Sequence, residues 1–127
     1  YGDGVSNVDL SELLKFHKSH GKMATVTSVR PPARFGEMIF DKEQLIDFQE
    51  KPQTNAGWIN GGYFVLEPEI FDYLEDDQTV FDGNPLKRLA QEEQLVAYKH
   101  NGFWQCMDTM RDKNYLNELW ESGEAKW

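Results

Sequence analysis

Two aspartates near opposite ends of this chain, Asp3 and Asp108, carry side chains that suit a divalent cation. Asp3 lies between two glycines, and Asp108 lies between a methionine and a threonine, four residues after Trp104. Mg²⁺ usually takes one or two protein carboxylates and fills its octahedron with phosphate oxygens and water. If the two segments converge, they predict a Mg²⁺ site that works among phosphates. The alternative for Asp3 is an ordinary turn, which glycine and aspartate favour.

Two segments in the middle of the chain carry groups that suit a sugar phosphate. Glu50 and Lys51 place a hydroxyl acceptor beside a point cation, and Pro52 fixes how the chain leaves the strand. The alternative for this pair is an exposed ion pair on an edge strand. Asn60 offers an amide side chain, and Gly61 offers backbone that no Cβ shields. The alternative for these two residues is a bulge in a strand.

The histidines, the cysteine and the tryptophans are weaker candidates. His17 and His20 have the spacing of a metal pair on a helix, but no third ligand has suitable spacing, which favours a solvated helix face. Cys106 is predicted to be a small core residue rather than a nucleophile, because no His-containing motif would activate it. Trp58 and Trp104 could stack on a ligand, although aromatic residues at strand spacing more often belong to the core.

Helical and strand patterns alternate along the chain. The 3.6-residue period and the capping residues predict helices at 7–20, 68–74, from 85 onward and at 111–122, the last burying Tyr115, Leu116, Leu119 and Trp120. Apolar runs between turn residues predict strands at 23–29, 37–40, 44–49, 58–66, 94–99 and 102–106. This order predicts an α/β fold with a mixed sheet and flanking helices, in one domain that spans residues 1–127.

The composition narrows the class of protein. With 127 residues, 39% of them apolar and 13% aromatic, the chain suits one globular domain rather than a disordered segment. Its net charge of −9 argues against a nucleic-acid partner, which calls for a basic surface. No apolar run approaches the ~20 residues that cross a bilayer. A single cysteine excludes an internal disulfide framework and fits a cytoplasmic protein.

Taken together, the motifs resemble those of the sugar-1-phosphate nucleotidylyltransferases, and within that family they are most similar to the glucose-1-phosphate cytidylyltransferases, or CDP-glucose pyrophosphorylases. The likeness covers essentially the whole chain. The segments Trp-Ile-Asn-Gly-Gly at 58–62 and Met-Asp-Thr-Met-Arg-Asp at 107–112 are specific to the cytidylyl branch. The other matching segments are 1–5, 31–36, 48–52, 63–68, 85–86 and 102–106.

This resemblance implies a fold and a reaction. The fold is the C-terminal, sugar-phosphate-binding part of a Rossmann-like nucleotide-diphospho-sugar transferase domain. The reaction joins CTP and α-D-glucose 1-phosphate to give CDP-glucose and pyrophosphate, with Mg²⁺ as cofactor, in nucleotide-sugar biosynthesis for lipopolysaccharide O-antigen. An oxygen of the sugar phosphate attacks the α-phosphorus of CTP in line, so positioning and charge neutralisation carry the catalysis.

The resemblance also implies roles for individual residues. Asp3 and Asp108 hold the Mg²⁺, and with Lys51 they form the catalytic set. The substrate-binding set is Gly2 against the nucleotide, Gly36 against the sugar through its backbone, Glu50 and Asn60 on the glucose hydroxyls, Lys51 on the sugar phosphate, and Gly61 beside Asn60. The full-length protein is expected to form a homo-oligomer. No membrane partner is expected.

The start of the chain departs from the family pattern. The Gly-rich loop with a basic residue that cradles the triphosphate has no counterpart here, and the chain opens on what looks like the end of a buried strand. The chain is therefore interpreted as a C-terminal part that keeps the sugar-phosphate subsite and lacks turnover by itself. Because the base-reading segment is absent, thymidylyl-, uridylyl- or guanylyltransfer to another sugar 1-phosphate stays open, as does a non-catalytic sugar-phosphate-binding module.

Overall fold

The computed structural model describes residues 1–31, 37–49 and 57–127, and in 37–41 and 45–49 it describes the backbone alone. The strands are β1 (Gly4–Ser6), β2 (Ala24–Val29), β3 (Glu37–Asp41), β4 (Gln44–Gln49), β5 (Ile59–Leu66), β6 (Leu95–His100) and β7 (Trp104–Cys106). The helices are α1 (Leu10–His20), α2 (Asn84–Gln91) and α3 (Met110–Glu121), and a 3-10 helix spans Pro68–Tyr73. Every predicted helix and strand is present, with some ends shifted. No helix in these ranges has the length and apolar character needed to cross a membrane.

A mixed three-stranded sheet forms the centre of the described fold. Its order is β5-β2-β6, with β2 antiparallel to β5 and parallel to β6. Successive side chains of a strand point to opposite faces of the sheet. Ala24 packs with Ile70 of the 3-10 helix and Leu89 of α2, whereas the Thr25 hydroxyl lies against His17 of α1. Helical elements therefore flank the sheet on both sides, which confirms the α/β prediction.

Local signals explain both ends of α1. The Asp9 carboxylate accepts hydrogen bonds from the backbone N–H groups of Ser11 at 2.8 Å and Glu12 at 3.0 Å, which satisfies two free donors at the helix start. Gly21 follows the helix with a φ of 63°, a left-handed conformation that glycine adopts without a Cβ clash. The helix begins later than predicted, because Asn7 donates its backbone N–H to the carbonyl oxygen of Phe103 at 3.2 Å.

The strand β1 departs from the prediction, which places residues 4–6 between a strand end and a helix. These residues pair antiparallel with β7, with Gly4 opposite Cys106 and Ser6 opposite Trp104. A strand of three residues is too short to show a period, and its partner lies near the other end of the chain. The pairing brings the two ends of the chain together.

The outer face of α3 also differs from the prediction. Leu116 is buried and Leu119 is half-buried, but Tyr115 and Trp120 are 44% and 68% exposed. Tyr115 lies about 100° around the helix from its neighbour Leu116, which places its side chain at the margin of the buried face. Trp120 lies about one turn beyond Leu116 on the same side. The described residues therefore cover Leu119 in the last turn of α3 in part and leave the Trp120 side of that turn exposed.

Candidate functional site

A cavity of about 340 Å³ lies where β1 and β7 meet the start of β5. Four of the predicted site residues line it, namely Asp3, Asn60, Gly61 and Asp108. The side chains of Asp3, Asn60 and Asp108 are exposed, so a ligand from solvent can reach all three. The structure thus brings the predicted metal pair and part of the predicted sugar-binding set into one site.

The β1–β7 ladder explains why Asp3 and Asp108 meet. Asp3 directly precedes β1, and Asp108 follows shortly after the end of β7. Because the two strands are antiparallel, these positions lie at the same edge of the ladder. The Met107 backbone N–H donates to the Asp3 carbonyl oxygen at 2.8 Å, which extends the pairing to the residue beside Asp108. The two carboxylates therefore leave neighbouring chain segments at one edge.

A bulge in β5 forms the facing wall of the cavity. Val26 of β2 is paired with Phe64, but Ser28 is paired with Asn60. A two-residue step along β2 therefore matches a four-residue step along β5, and the extra residues leave the regular ladder. The bulge that the sequence analysis gave as the alternative for Asn60 and Gly61 is therefore present.

The packing of the sheet itself requires the two glycines of this bulge. Gly62 has a φ of 82°, in the region that residues with a Cβ rarely adopt. A Cβ built on Gly61 would lie 2.9 Å from both the Thr27 carbonyl oxygen and the Val29 Cγ1 atom. Glycine at these positions is therefore explained without a ligand.

Two side-chain hydrogen bonds tie the bulge to the β1–β7 pair. The Trp104 Nε1–H donates to the Gly61 carbonyl oxygen at 2.9 Å, and the Tyr63 hydroxyl donates to the Gly4 carbonyl oxygen at 3.0 Å. In the described part of the chain, β5 and the β1–β7 pair belong to different sheets, so both bonds cross from one sheet to the other. They set the spacing between the Asn60 segment and the strand ends that carry the aspartates.

The amide of Asn60 has a defined orientation. Its Oδ1 accepts the Gly62 backbone N–H at 2.8 Å, and since that partner is a donor, the amide oxygen must face it. The Nδ2 atom then points to the Tyr1 hydroxyl and to Asp82 Oδ1, each at 3.3 Å. The side chain is therefore held by its oxygen, and its nitrogen is the atom with weakly held partners.

Carboxylates dominate the charge around the cavity in the described residues. Asp3 and Asp108 line it, and Asp82 lies beside Asn60. Their combined field repels a phosphate unless a cation intervenes. No group of three or more His, Cys, Asp or Glu side chains in the described ranges is arranged to hold a metal ion by itself. Two exposed carboxylates therefore fit an ion such as Mg²⁺, which takes the rest of its coordination from phosphate oxygens and water.

Several predicted site residues cannot be placed in the cavity. Gly36, Glu50 and Lys51 lie outside the described residues, and their roles stay predictions. Gly2 is exposed, and a Cβ built on it would meet no described atom within 4 Å. Protein packing therefore gives no reason for glycine there, and the predicted approach of Gly2 to a nucleotide also stays a prediction.

The two histidines of α1 do not form the solvated face that the sequence favours. His17 is 2% exposed, with Nδ1 2.7 Å from the Thr25 hydroxyl and Nε2 2.9 Å from Glu67 Oε1. His20 Nε2 lies 2.7 Å from the same hydroxyl, and its Nδ1 accepts the Lys22 backbone N–H at 2.9 Å. Burial, followed by the nearby His17 and Lys22, lowers the pKa of His20. These contacts make a structural polar cluster rather than a metal pair.

Sequence reasoning missed four residues of this site. Tyr1 and Tyr63 line the cavity, and Cys106 is half-buried in its wall rather than in the core. A bulge at Asn60 and Gly61 could have indicated Tyr63, because a bulge changes which face of the sheet the following side chains point to. Asp82 had no local signal, because only the fold places its loop beside β5.

Comparison with known proteins assigns the chain to a family. The family described as Nucleotidyl transferase matches residues 1–118. The chain is 50% identical over 127 residues to the glucose-1-phosphate cytidylyltransferase of Salmonella typhi. This alignment covers 100% of the chain and 49% of that protein. It is 33% identical over 122 residues to the mannose-1-phosphate guanylyltransferase catalytic subunit beta of Dictyostelium discoideum, covering 92% of this chain and 33% of that protein. The chain thus spans about half the length of the cytidylyltransferase that it matches.

A solved structure shares the fold. HddC from Yersinia pseudotuberculosis aligns with a TM-score of 0.61, covering 94% of this chain and 52% of that chain, at 19% sequence identity. At this identity the likeness concerns the fold alone. It agrees with the mixed sheet and flanking helices observed here.

Proposed function

Because this chain belongs to the nucleotidyl transferase family, we propose that the protein containing it transfers a cytidylyl group from CTP to glucose 1-phosphate, giving CDP-glucose and pyrophosphate. The observation that carries the proposal is the 50% identity to a glucose-1-phosphate cytidylyltransferase along the whole chain. The cavity supports it, because Asp3, Asn60 and Asp108 line one site that solvent reaches. The likeness to a guanylyltransferase makes other nucleotides and sugars the alternatives to be separated by experiment.

The proposed reaction is an in-line displacement at the α-phosphorus of CTP. An oxygen of the sugar phosphate forms the new bond to that phosphorus, while the bond from the α-phosphorus to the bridging oxygen breaks. Pyrophosphate leaves with the electron pair. The reacting groups are anionic, so the protein has to position them and offset their charges rather than supply a nucleophile.

In this proposal, Asp3 and Asp108, which flank the same edge of the β1–β7 ladder, would hold a Mg²⁺. When bound, the ion supplies the positive charge that lets the two phosphate-bearing substrates approach. The two carboxylates would fix the position of the ion, since Mg²⁺ usually takes only one or two protein carboxylates. Their exposure to the cavity suits this role.

The sugar phosphate occupies the side of the cavity formed by β5. Asn60 binds a sugar hydroxyl there, and its amide already lines the cavity. Lys51 offsets the charge of the sugar phosphate, and Glu50 binds glucose hydroxyls. Gly36 approaches the sugar through its backbone, and Gly2 lies against the nucleotide. The roles of these last four residues are proposed from the family resemblance.

The test is to incubate the full-length protein with Mg²⁺, glucose 1-phosphate or mannose 1-phosphate, and CTP, UTP, dTTP or GTP in turn. Products are identified by mass spectrometry and pyrophosphate release. We expect CDP-glucose to form much faster than any other nucleotide sugar. Faster turnover with another pair would reject the substrate assignment. Binding of glucose 1-phosphate without any turnover would favour a sugar-phosphate-binding module.

Asp108→Asn tests the metal site, because it keeps the shape of the side chain and removes its charge. Charge stabilisation by a metal ion is worth several kcal/mol, and each ~1.4 kcal/mol is tenfold in rate, so we expect kcat/KM to fall about 100-fold or more. Asp77→Asn, at an exposed position in the loop before α2, is the matched control and should leave turnover unchanged. Near-normal turnover of Asp108→Asn would remove Asp108 from the metal site.

A further inference from the structure

Asp82 lies beside the sugar-binding wall of the cavity, although no motif marked it. It sits just before α2, in a turn closed by the Gly83 backbone N–H, which donates to the Val80 carbonyl oxygen at 3.0 Å. Its exposed carboxylate lies 3.3 Å from the Nδ2 atom of Asn60, and Asn60 lines the cavity. A carboxylate acceptor thus stands next to an amide donor whose residue lines the cavity.

The contact between these two side chains is weak and open to exchange. Both the Asp82 and the Tyr1 oxygen lie 3.3 Å from Asn60 Nδ2, beyond the usual range of about 2.7–3.2 Å. The other end of the amide is held more closely, at 2.8 Å from the Gly62 N–H. The Nδ2 donor is therefore the part of the Asn60 side chain that a ligand can engage.

The chemistry of this pair matches a hydroxyl group. A hydroxyl accepts one hydrogen bond and donates another, so it can accept from Asn60 Nδ2 and donate to Asp82 in the same position. Two hydrogen bonds of normal length then replace one long contact. A phosphate oxygen would instead meet the Asp82 carboxylate with like charge. The pair therefore suits the sugar ring and not its phosphate.

Aromatic packing holds the groups around Asn60 in place. The Phe64 ring lies 5.3 Å from the Tyr1 ring and 5.3 Å from the Phe81 ring, measured between centroids. Phe81 directly precedes Asp82 in the chain. Both oxygens next to Asn60 Nδ2 are thus carried by segments anchored on one ring, which limits the entropy lost when a ligand binds.

We propose that Asp82 and Asn60 together bind one hydroxyl of the sugar, which makes Asp82 a specificity-determining residue for the sugar 1-phosphate. This inference rests on the proposed function, because that reaction supplies the sugar substrate. With a sugar that lacks this hydroxyl, Asn60 and Asp82 each lose a hydrogen-bond partner. Sites built to bind a hydroxyl discriminate strongly against such analogues.

The experiment compares kcat/KM of the full-length wild type, Asp82→Ala and Asp77→Ala for glucose 1-phosphate and its 2-, 3-, 4- and 6-deoxy analogues. We expect Asp82→Ala to lower kcat/KM for glucose 1-phosphate about tenfold, as for the loss of a hydrogen bond to a charged group. For one deoxy analogue, wild type and Asp82→Ala should be equal, because the contact is already missing. The KM for CTP should not change, and Asp82→Asn, which keeps an acceptor oxygen, should restore part of the loss.

Two results with an active enzyme would overturn the inference. An equal loss for every analogue would mean that Asp82 acts through the protein and touches no hydroxyl. Unchanged kcat/KM for glucose 1-phosphate in Asp82→Ala would show that the carboxylate is not used. A wild type that transfers no nucleotide to any sugar 1-phosphate is a separate result, and it would refute the proposed function together with this role of Asp82.

Discussion

The hydrogen bond from Trp104 to Gly61 connects the bulge of β5 to the strand that leads into Asp108. Trp104→Phe keeps an aromatic ring in the cavity wall and removes the indole N–H, which can only donate. The Gly61 carbonyl oxygen, in a buried residue, then loses a partner at 2.9 Å. We expect this change to lower stability and turnover together, because the same bond serves both.

The expected loss of stability follows from the buried acceptor. An unsatisfied buried hydrogen-bonding group costs about 1–3 kcal/mol. For a protein of 150–250 residues, each kcal/mol lowers Tm by ~2–4 °C, so we expect a decrease of ~2–12 °C. A shift of about 1 Å in a positioned group can cost 100-fold in rate, so we expect kcat/KM to fall by about 10- to 100-fold.

The measurements use the full-length protein. Tm is taken from scanning calorimetry, and kcat/KM is measured with CTP and glucose 1-phosphate well below the Tm of each variant. Trp120→Phe is the matched control, since Trp120 is 68% exposed on α3. Tyr63→Phe removes the second tie, and because both ties cross from one sheet to the other, we expect the double variant to show non-additive effects on turnover.

Two outcomes would refute this reasoning. If Trp104→Phe has the Tm and the kcat/KM of the wild type, the hydrogen bond does not hold the bulge in place. If Tm falls while kcat/KM is unchanged, the bond stabilises the fold without setting the geometry of the site. Either result would mean that contacts other than this hydrogen bond position Asn60.

Two further changes test the bulge and the histidine cluster. In Gly61→Ala the new Cβ lies 2.9 Å from the Thr27 carbonyl oxygen and Val29 Cγ1. We expect a loss of about 1–3 kcal/mol from overpacking, and an unchanged urea midpoint would contradict it. Burial and then His17 lower the pKa of His20 below 6.5. At a pH just below 6.5 the unfolded chain therefore binds more protons than the folded chain. The stability present above pH 6.5 is then expected to fall as the pH drops through that value. His20→Gln should make Tm less dependent on pH in this window, and an equally steep fall would exclude His20 as its source.

The regular elements of the fold follow from local signals in the sequence. Asp9 and Gly21 mark the start and end of α1 through a cap and a left-handed residue, and capping residues of this kind are among the signals from which the helix was predicted. The start of α3 had a signal that was overlooked. The Thr109 hydroxyl accepts the Asp112 backbone N–H at 3.2 Å, and the Asp112 carboxylate accepts the Thr109 backbone N–H at 3.0 Å. This capping box places the helix start one residue earlier than the apolar pattern does.

Features that depend on distant contacts could not be predicted in the same way. The sequence alone does not distinguish a solvent-exposed histidine from a buried one, because burial depends on hydrogen-bond partners from other elements. His17 is buried because Thr25 and Glu67 satisfy both ring nitrogens. Asp82 lies beside Asn60 because the loop before α2 folds back over β5, and no local pattern encodes that path.

The geometry of the candidate metal pair depends on contacts outside its own strands. An isolated hairpin is marginal in water, and β1 and β7 have three residues each, so their ladder cannot fix the carboxylates by itself. The bonds from Trp104 and Tyr63 connect this ladder to β5. The Gly61 carbonyl can accept from Trp104 because the bulge removes this part of β5 from the regular register with β2. The bulge that holds Gly61 and Tyr63 therefore connects the segment of Asn60 to the two strands that Asp3 and Asp108 flank.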